Sequence, residues 1–186
     1  VIGLNRIIKM MQVQDNTLVF EGKAIYSLEK FLISRRLMYW QVYLHKTVLA
    51  AEIMLTLILK RAKELIRNDQ ETAVNRNLHE LLMEDLRLET IKNNEEKLAA
   101  FASLDDCDVT AQIKIWSESK DKVLRYLCKM LINRNLFKLR IKNEEFKSDQ
   151  FDRIKEAIQK KWQLNEREAD YFIRSSKVQN EAYQHN

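Results

Sequence analysis

Residues Leu28–Arg67 read LEKFLISRRLMYWQVYLHKTVLAAEIMLTLILKRAKELIR, and no Pro or Gly interrupts a helix anywhere in them. A mean helix runs to about 11–12 residues, so forty without a breaker predict either one central helix or two joined at a kink. Leu32, Leu37, Met38, Trp40, Leu44, Val48 and Leu49 recur around the whole circumference, which predicts a helix surrounded by protein on most sides. The rest of the chain agrees with a helical reading: it has no Pro at all, and its glycines are Gly3 and Gly22. That composition excludes collagen-like, linker-rich and turn-dense all-β architectures.

Toward the N-terminus, Leu4, Ile7, Ile8 and Met11 form an amphipathic helical stripe. Asp15-Asn16 signals a turn, Thr17–Phe20 has strand propensity, and Ser27 is a candidate N-cap for the long helix. Toward the C-terminus, Asn68-Asp69 stops the long helix, and Glu71–Leu88 carries Val74, Leu78, Leu81, Leu82 and Leu86 at helical spacing. One of Asp105, Asp106 and Asp108 caps a further helix through Val109, Ile113 and Trp116, and Asp121 caps Val123–Asn133. From Leu136 to Lys142 the period falls to two, which predicts a half-buried strand. Phe151–Trp162 returns to helix, and Ala169–Arg174 is a second strand candidate. The expected fold is mainly α: a helical part over residues 1–135 with a long central helix, and a small α+β appendage over residues 136–186.

The 186 residues carry a net charge of +5, with 46% apolar and 32% charged side chains, proportions of a soluble globular chain. Val48–Leu59, the longest apolar-rich stretch, is broken by Glu52 and Thr56 and falls short of the roughly 20 residues of a membrane crossing. Two cysteines, Cys107 and Cys128, make no disulfide framework, so buried reduced thiols and a cytoplasmic location are expected. The chain opens with Val1 inside a helical pattern and reads as a piece of something longer.

Few residues carry obvious chemistry. His45, His79 and His185 never pair at the i, i+3 or i+4 spacing that offers two imidazoles to one metal, so no metal site is expected. The acidic trio Asp105, Asp106 and Asp108 lacks the glycine and distant Glu of an EF-hand and reads as capping. No Gly-rich phosphate loop or nucleophile elbow exists, and no catalytic residue is assigned. The unusual feature lies in Phe31–Lys46. With Arg35 at zero on an ideal helix, Tyr39, Val42, Tyr43 and Lys46 fall at about 40°, −20°, 80° and 20°. One stripe thus carries two cations and two phenols. It reads either as structural salt bridges or as an Arg/Lys/Tyr wall for a phosphate-bearing ligand, since the guanidinium fork matches phosphate oxygens and Tyr stacks on a sugar or base. Arg134, Lys138, Arg140 and Lys142 read as a solvated strand face. Acids interleave with the bases throughout, so nucleic-acid binding is not expected.

The run FLISRRLMYWQVYLHKTVLAAEIML (31–55), followed by LCKMLINRNLFKLR (127–140), resembles HD-domain phosphohydrolases of the deoxynucleoside triphosphate triphosphohydrolase type, above all a bacterial subgroup with an R-x7-Y-x-H-K helix. In that family a His, a His-Asp pair and a further Asp on preceding helices hold a divalent metal; no His-Asp dipeptide occurs in this chain. The resemblance therefore implies the C-terminal part of a metal-dependent enzyme that hydrolyses a dNTP to nucleoside and triphosphate and works as a homo-oligomer. The metal would be held by the parent protein and no cofactor by this chain. It further implies that Arg35 contacts the triphosphate and Tyr43 the deoxyribose, while His45 stands aside from Arg35 on the helix. Leu44 replaces a glutamine of the mammalian relative. Lys46, Arg134 and Lys138 match residues that line an activating nucleotide site at a subunit interface in that relative. The alternative function is a non-catalytic helical assembly module.

Overall fold

The computed structural model describes residues 3–70, 72–83, 87, 89, 92–142, 146 and 148–175. The described residues form two compact units, residues 3–49 and residues 50–175.

In the first unit, helix α1 (Leu4–Lys9) ends before Met11, which enters strand β1 (Met11–Gln14) instead of extending the helical stripe. Asp15 and Asn16 both take left-handed φ, 50° and 57°, the pair of conformations a two-residue type I′ turn demands. The turn sets β1 antiparallel to β2 (Thr17–Phe20) with Met11 opposite Phe20 and Gln14 opposite Thr17. A 3₁₀ turn over Gly22–Ala24 then leads into α2 (Ile25–Met38), so the helix starts ahead of Ser27, which lies inside it and caps nothing. The forty-residue run is broken: α2 passes into a π-helical turn over Tyr39–Tyr43, and α3 (Lys46–Arg67) starts afresh after Leu44 and His45. The enclosure predicted for this region is absent from its first half. No residue of α2 or of the π turn is buried, and Leu32, Leu37, Met38, Trp40 and Val48 are exposed.

The second unit holds the hydrophobic core. Helix α3 turns Ala50, Met54, Leu57, Ile58, Ala62 and Leu65 inward at spacings of three, four and one. Helices α4 (Arg76–Met83), α5 (Glu95–Ala102), α6 (Asp106–Trp116) and α7 (Lys122–Ile132) follow. Leu57, Ile58 and Leu65 meet Leu78 of α4, Ile113 and Trp116 of α6, and Val123, Leu124, Leu127 and Cys128 of α7 in one cluster. The capping expectations hold. Asp105 accepts from the N–H groups of Cys107 and Asp108 while Asp108 accepts from that of Asp105, and Asp121 accepts from Leu124. Leu86, expected on the second helix, lies outside the described residues.

The C-terminal part is helical, and the strands expected in the appendage are absent among the described residues. Helix α8 (Ser148–Trp162) is followed by α9 (Glu166–Ala169) and a 3₁₀ turn over Asp170–Phe172, where a strand was predicted from Ala169. Asn165 and Glu168 close a capping box there, a helix-start signal that outweighs the strand propensity of Tyr171 and Phe172. Residues 136–142 belong to no helix or ladder. Burial follows the twofold alternation from Phe137 to Arg140, with Phe137 and Leu139 half-buried and Lys138 and Arg140 exposed, and departs from it at Leu136, which is half-buried, and Ile141, which is exposed. One-sided burial gives a period of two without any hydrogen-bonded neighbour. Phe137 and Trp162 both pack edge-on to Phe172, at 6.4 and 4.6 Å between centroids, which holds this extended segment to the last helices.

Helices end here without glycine. At Asp69, Arg134 and Gln163 the chain turns left-handed, φ 53°, 55° and 52°, and the next residue's N–H reaches five back, Gln70 to Leu65, Asn135 to Met130 and Leu164 to Gln159. This is Schellman closure on side chains that resist the conformation. Gln163→Gly is expected to raise stability by about 0.5–1 kcal/mol, read as a higher midpoint in urea with unchanged slope.

Candidate functional site

The polar stripe of α2 is built by the backbone. In a π turn the hydrogen bond spans five residues, as from the Leu44 N–H to the Tyr39 carbonyl at 2.8 Å, so residues four apart come closer to vertical alignment than in an α-helix. Tyr39 and Tyr43 consequently stack with centroids 5.1 Å apart and planes tilted by 39°. The Arg35 guanidinium sits 5.7 Å from the Tyr39 centroid, a cation–π contact that holds its plane against the ring. Arg35, Tyr39 and Tyr43 thus form one continuous stack. Arg35 is exposed and makes no ion pair with a carboxylate among the described residues, so the salt-bridge reading of this stripe has no partner behind it.

The other predicted residues stand differently. Lys46 was placed on the stripe by assuming one unbroken helix; the break at Leu44 and His45 resets the phase, and Lys46 is the exposed first residue of α3. His45 serves the break itself: its Nδ1 accepts the Thr47 N–H at 3.3 Å, which satisfies an otherwise free donor of α3. Arg134 is the left-handed residue closing α7, and Lys138 lies exposed four residues on.

Cys128 is fully buried and its thiol is pushed up to about 12 by that burial, which makes it an inert packing group. Cys107, expected to be buried, is exposed in the first turn of α6. Among the described residues no three His, Cys, Asp or Glu side chains gather as a metal-holding group, so the residues present do not fit the divalent metal that the resemblance implies. A cleft of about 340 Å³ over Asn75, Asp108 and Gln112 has its polar groups engaged: Gln112 donates to the Ala73 carbonyl and accepts the Asn75 N–H. No single helix among the described residues is long and apolar enough to cross a membrane.

Sequence reasoning missed a cation at the centre of the second unit. Arg61 of α3 donates from Nε and Nη2 to the two carboxylate oxygens of Asp121, at 3.2 and 2.7 Å, and its plane lies 5.6 Å from the Tyr171 ring. Sixty residues separate the partners, and no periodicity within one helix exposes such a pair.

Residues 2–88 match the model of the HD associated region family. The uncharacterized protein YwfO of Bacillus subtilis is 29% identical over 134 residues, covering 72% of this chain and 29% of the relative. An uncharacterized protein of Mycoplasma pneumoniae, the MG461 homolog, is 28% identical over 158 residues, 83% of this chain and 35% of its own. The chain thus spans about a third of the length of these curated relatives. A phosphohydrolase of Bacteroides thetaiotaomicron has the same fold with a TM-score of 0.87 and 44% identity, over 92% of this chain and 43% of that one. The family match and this structural likeness together support a relation of the chain to the HD superfamily and to its phosphohydrolases.

Proposed function

We propose that this chain is the region of a longer HD-superfamily nucleotide phosphohydrolase that contributes a phosphate- and deoxyribose-contacting helix and an assembly surface. The observation that carries the reading is the Arg35–Tyr39–Tyr43 stack, exposed at Arg35 and Tyr43, whose guanidinium is ordered by an aromatic face and free of any carboxylate among the described residues. Such an arginine offers its donor fork to phosphate oxygens, and the Tyr43 phenol, about two turns further along, offers a flat face and a hydroxyl to a sugar. The substrate class is a deoxynucleoside triphosphate, hydrolysed to nucleoside and triphosphate with a divalent metal held by residues outside this chain. Lys46, Arg134 and Lys138 form a second nucleotide or interface site in this reading, and the protein is a cytoplasmic homo-oligomer. The alternative, an assembly module without catalysis, is favoured by one observation, the exposed apolar face of α2.

In the full-length protein, Arg35→Ala is expected to weaken dNTP binding by about 1.5–3 kcal/mol, roughly 10- to 150-fold, with little change in melting temperature. Arg35→Lys keeps the charge and loses the fork, so bidentate recognition predicts that Lys restores little of the affinity. Unchanged nucleotide affinity in Arg35→Ala would defeat the clamp and leave the assembly reading.

A further inference from the structure

Two dipeptides of the second unit set a cation beside an aromatic ring, Arg125-Tyr126 near the start of α7 and Lys161-Trp162 at the end of α8. The fold brings them together. The Tyr126 and Trp162 rings, both half-buried, pack with centroids 5.6 Å apart and planes tilted by 31°. The Arg125 guanidinium lies 5.7 Å from the first ring and the Lys161 ammonium 5.8 Å from the second. Lys122, one helical turn before Tyr126, donates to the Gln163 carbonyl at 3.4 Å and so joins the same two helix ends. Three cations thus surround one aromatic pair, Lys122 and Lys161 exposed and Arg125 half-buried.

Their charge is fixed in place but not cancelled. Among the described residues none of the three makes an ion pair. Arg125 is held by the Ser119 carbonyl at 3.0 Å, Lys122 by that of Gln163, and Lys161 by the indole face. The carboxylates on the flanking stretches of chain are engaged elsewhere. Asp121 faces Arg125, but its two oxygens take the Arg61 fork; Glu118 pairs with Lys129 at 3.2 Å, Glu166 with Lys155 at 2.9 Å, and Glu168 accepts the Asn165 N–H.

Uncompensated cations attract an anionic partner, and the rings decide its kind. A single strand of nucleic acid stacks its bases on bare aromatic faces along a continuous basic groove. Here the rings are already covered by each other and by the two cations, and Trp162 also meets Phe172. Three cations match two or three carboxylates rather than a phosphate backbone, and Tyr, Trp and Arg are the side chains enriched where proteins meet.

We propose that the patch of Lys122, Arg125 and Lys161, floored by Tyr126 and Trp162, docks a carboxylate-rich segment of a protein partner. It does not depend on the nucleotide reading: Arg35 belongs to the other unit, and Arg134 lies past the opposite end of α7.

Fluorescence anisotropy of a labelled hexaglutamate peptide titrated with the full-length protein tests it, with circular dichroism confirming that each variant folds. Saturable binding is expected, weakening as salt is raised. Lys122→Glu and Lys161→Glu are each expected to weaken it by about fivefold and the two together by about 20-fold, whereas Lys30→Glu, the same change in the first unit, leaves it within about twofold. A wild type that does not bind the peptide overturns the proposal, as does binding that Lys122→Glu and Lys161→Glu leave unchanged. An oligothymidylate strand or a phosphatidylserine vesicle that binds more tightly than the peptide, and is weakened by the same two variants, overturns the assignment to carboxylates.

Discussion

Asp121→Ala is expected to lower stability by about 3–5 kcal/mol, because it strands a largely buried cation and uncaps a core helix at once. The Arg61 and Asp121 side chains keep only 19% and 15% of their exposure, so water cannot replace the lost partner. Deletion leaves Arg61 with Glu64, at 3.4 Å and itself 41% exposed, a far weaker neighbour. The same carboxylate accepts the Leu124 N–H at 2.8 Å, and the residues following it, Val123, Leu124 and Leu127, are core residues. Asp121→Asn separates the two roles. Asparagine caps as well as aspartate, so its cost isolates the ion pair. The pH dependence has a definite sign. Burial works against ionising Asp121, but the Arg61 hydrogen bonds and the Leu124 N–H outweigh it and hold the carboxyl below its ordinary value of 3.8. A depressed carboxyl contributes stability above its unfolded pKa and loses it as pH falls through the folded one. The stability gap between wild type and Asp121→Asn is therefore expected to be constant near neutrality and to close below about pH 3.8. Urea titrations of both proteins between pH 2 and 7 measure it; a gap that widens in acid would contradict the pair.

What the sequence shows of this fold divides along the range of the interactions. Capping is local, so Asp105 and Asp121 are readable three residues from what they bind, and so is the hairpin turn at Asp15-Asn16. The π turn at Tyr39–Tyr43 has no local signal, because any apolar-rich run fits an α-helix equally well until a backbone bond skips one residue. Phase computed across that turn carried Lys46 onto the stripe with Arg35, whereas Tyr39 and Tyr43 kept their places beside it. Enclosure is also non-local: the apolar circumference of α2 announces partners, and among the described residues only Ser27, Leu28, Phe31 and Ser34 of that helix are even half-buried. The strand reading of residues 136–142 failed because alternation reports which side is covered and not what the backbone bonds. For the site, spacing placed Arg35 near Tyr39 and Tyr43, but only the structure shows that the guanidinium pairs with no carboxylate among the described residues.

Trp116→Ala is expected to cost about 3–5 kcal/mol, because core packing and a part-buried hydrogen bond are lost together. Trp116 is the largest fully buried side chain and belongs with Leu57, Ile58 and Leu124 to the core cluster. Its indole N–H donates to the Ala73 carbonyl at 3.0 Å, and the Gln112 amide donates to the same oxygen at 2.6 Å while accepting the Asn75 N–H at 2.9 Å. The irregular segment ahead of α4 is thus tied to α6 by two side chains one turn apart. Removing the ring leaves the carbonyl satisfied by Gln112, so the orphaned-acceptor penalty is avoided and the cavity dominates the loss. Gln112→Leu does the reverse. It preserves volume, leaves the part-buried Asn75 N–H without its Gln112 acceptor, and is expected to cost about 1 kcal/mol. Because both side chains hold Ala73, the double variant is expected to cost more than the sum of the two, as the carbonyl then loses both donors. Denaturant unfolding of the four proteins of this cycle gives the coupling directly; strict additivity would show that the shared carbonyl finds water, and that the segment is not held as the geometry requires.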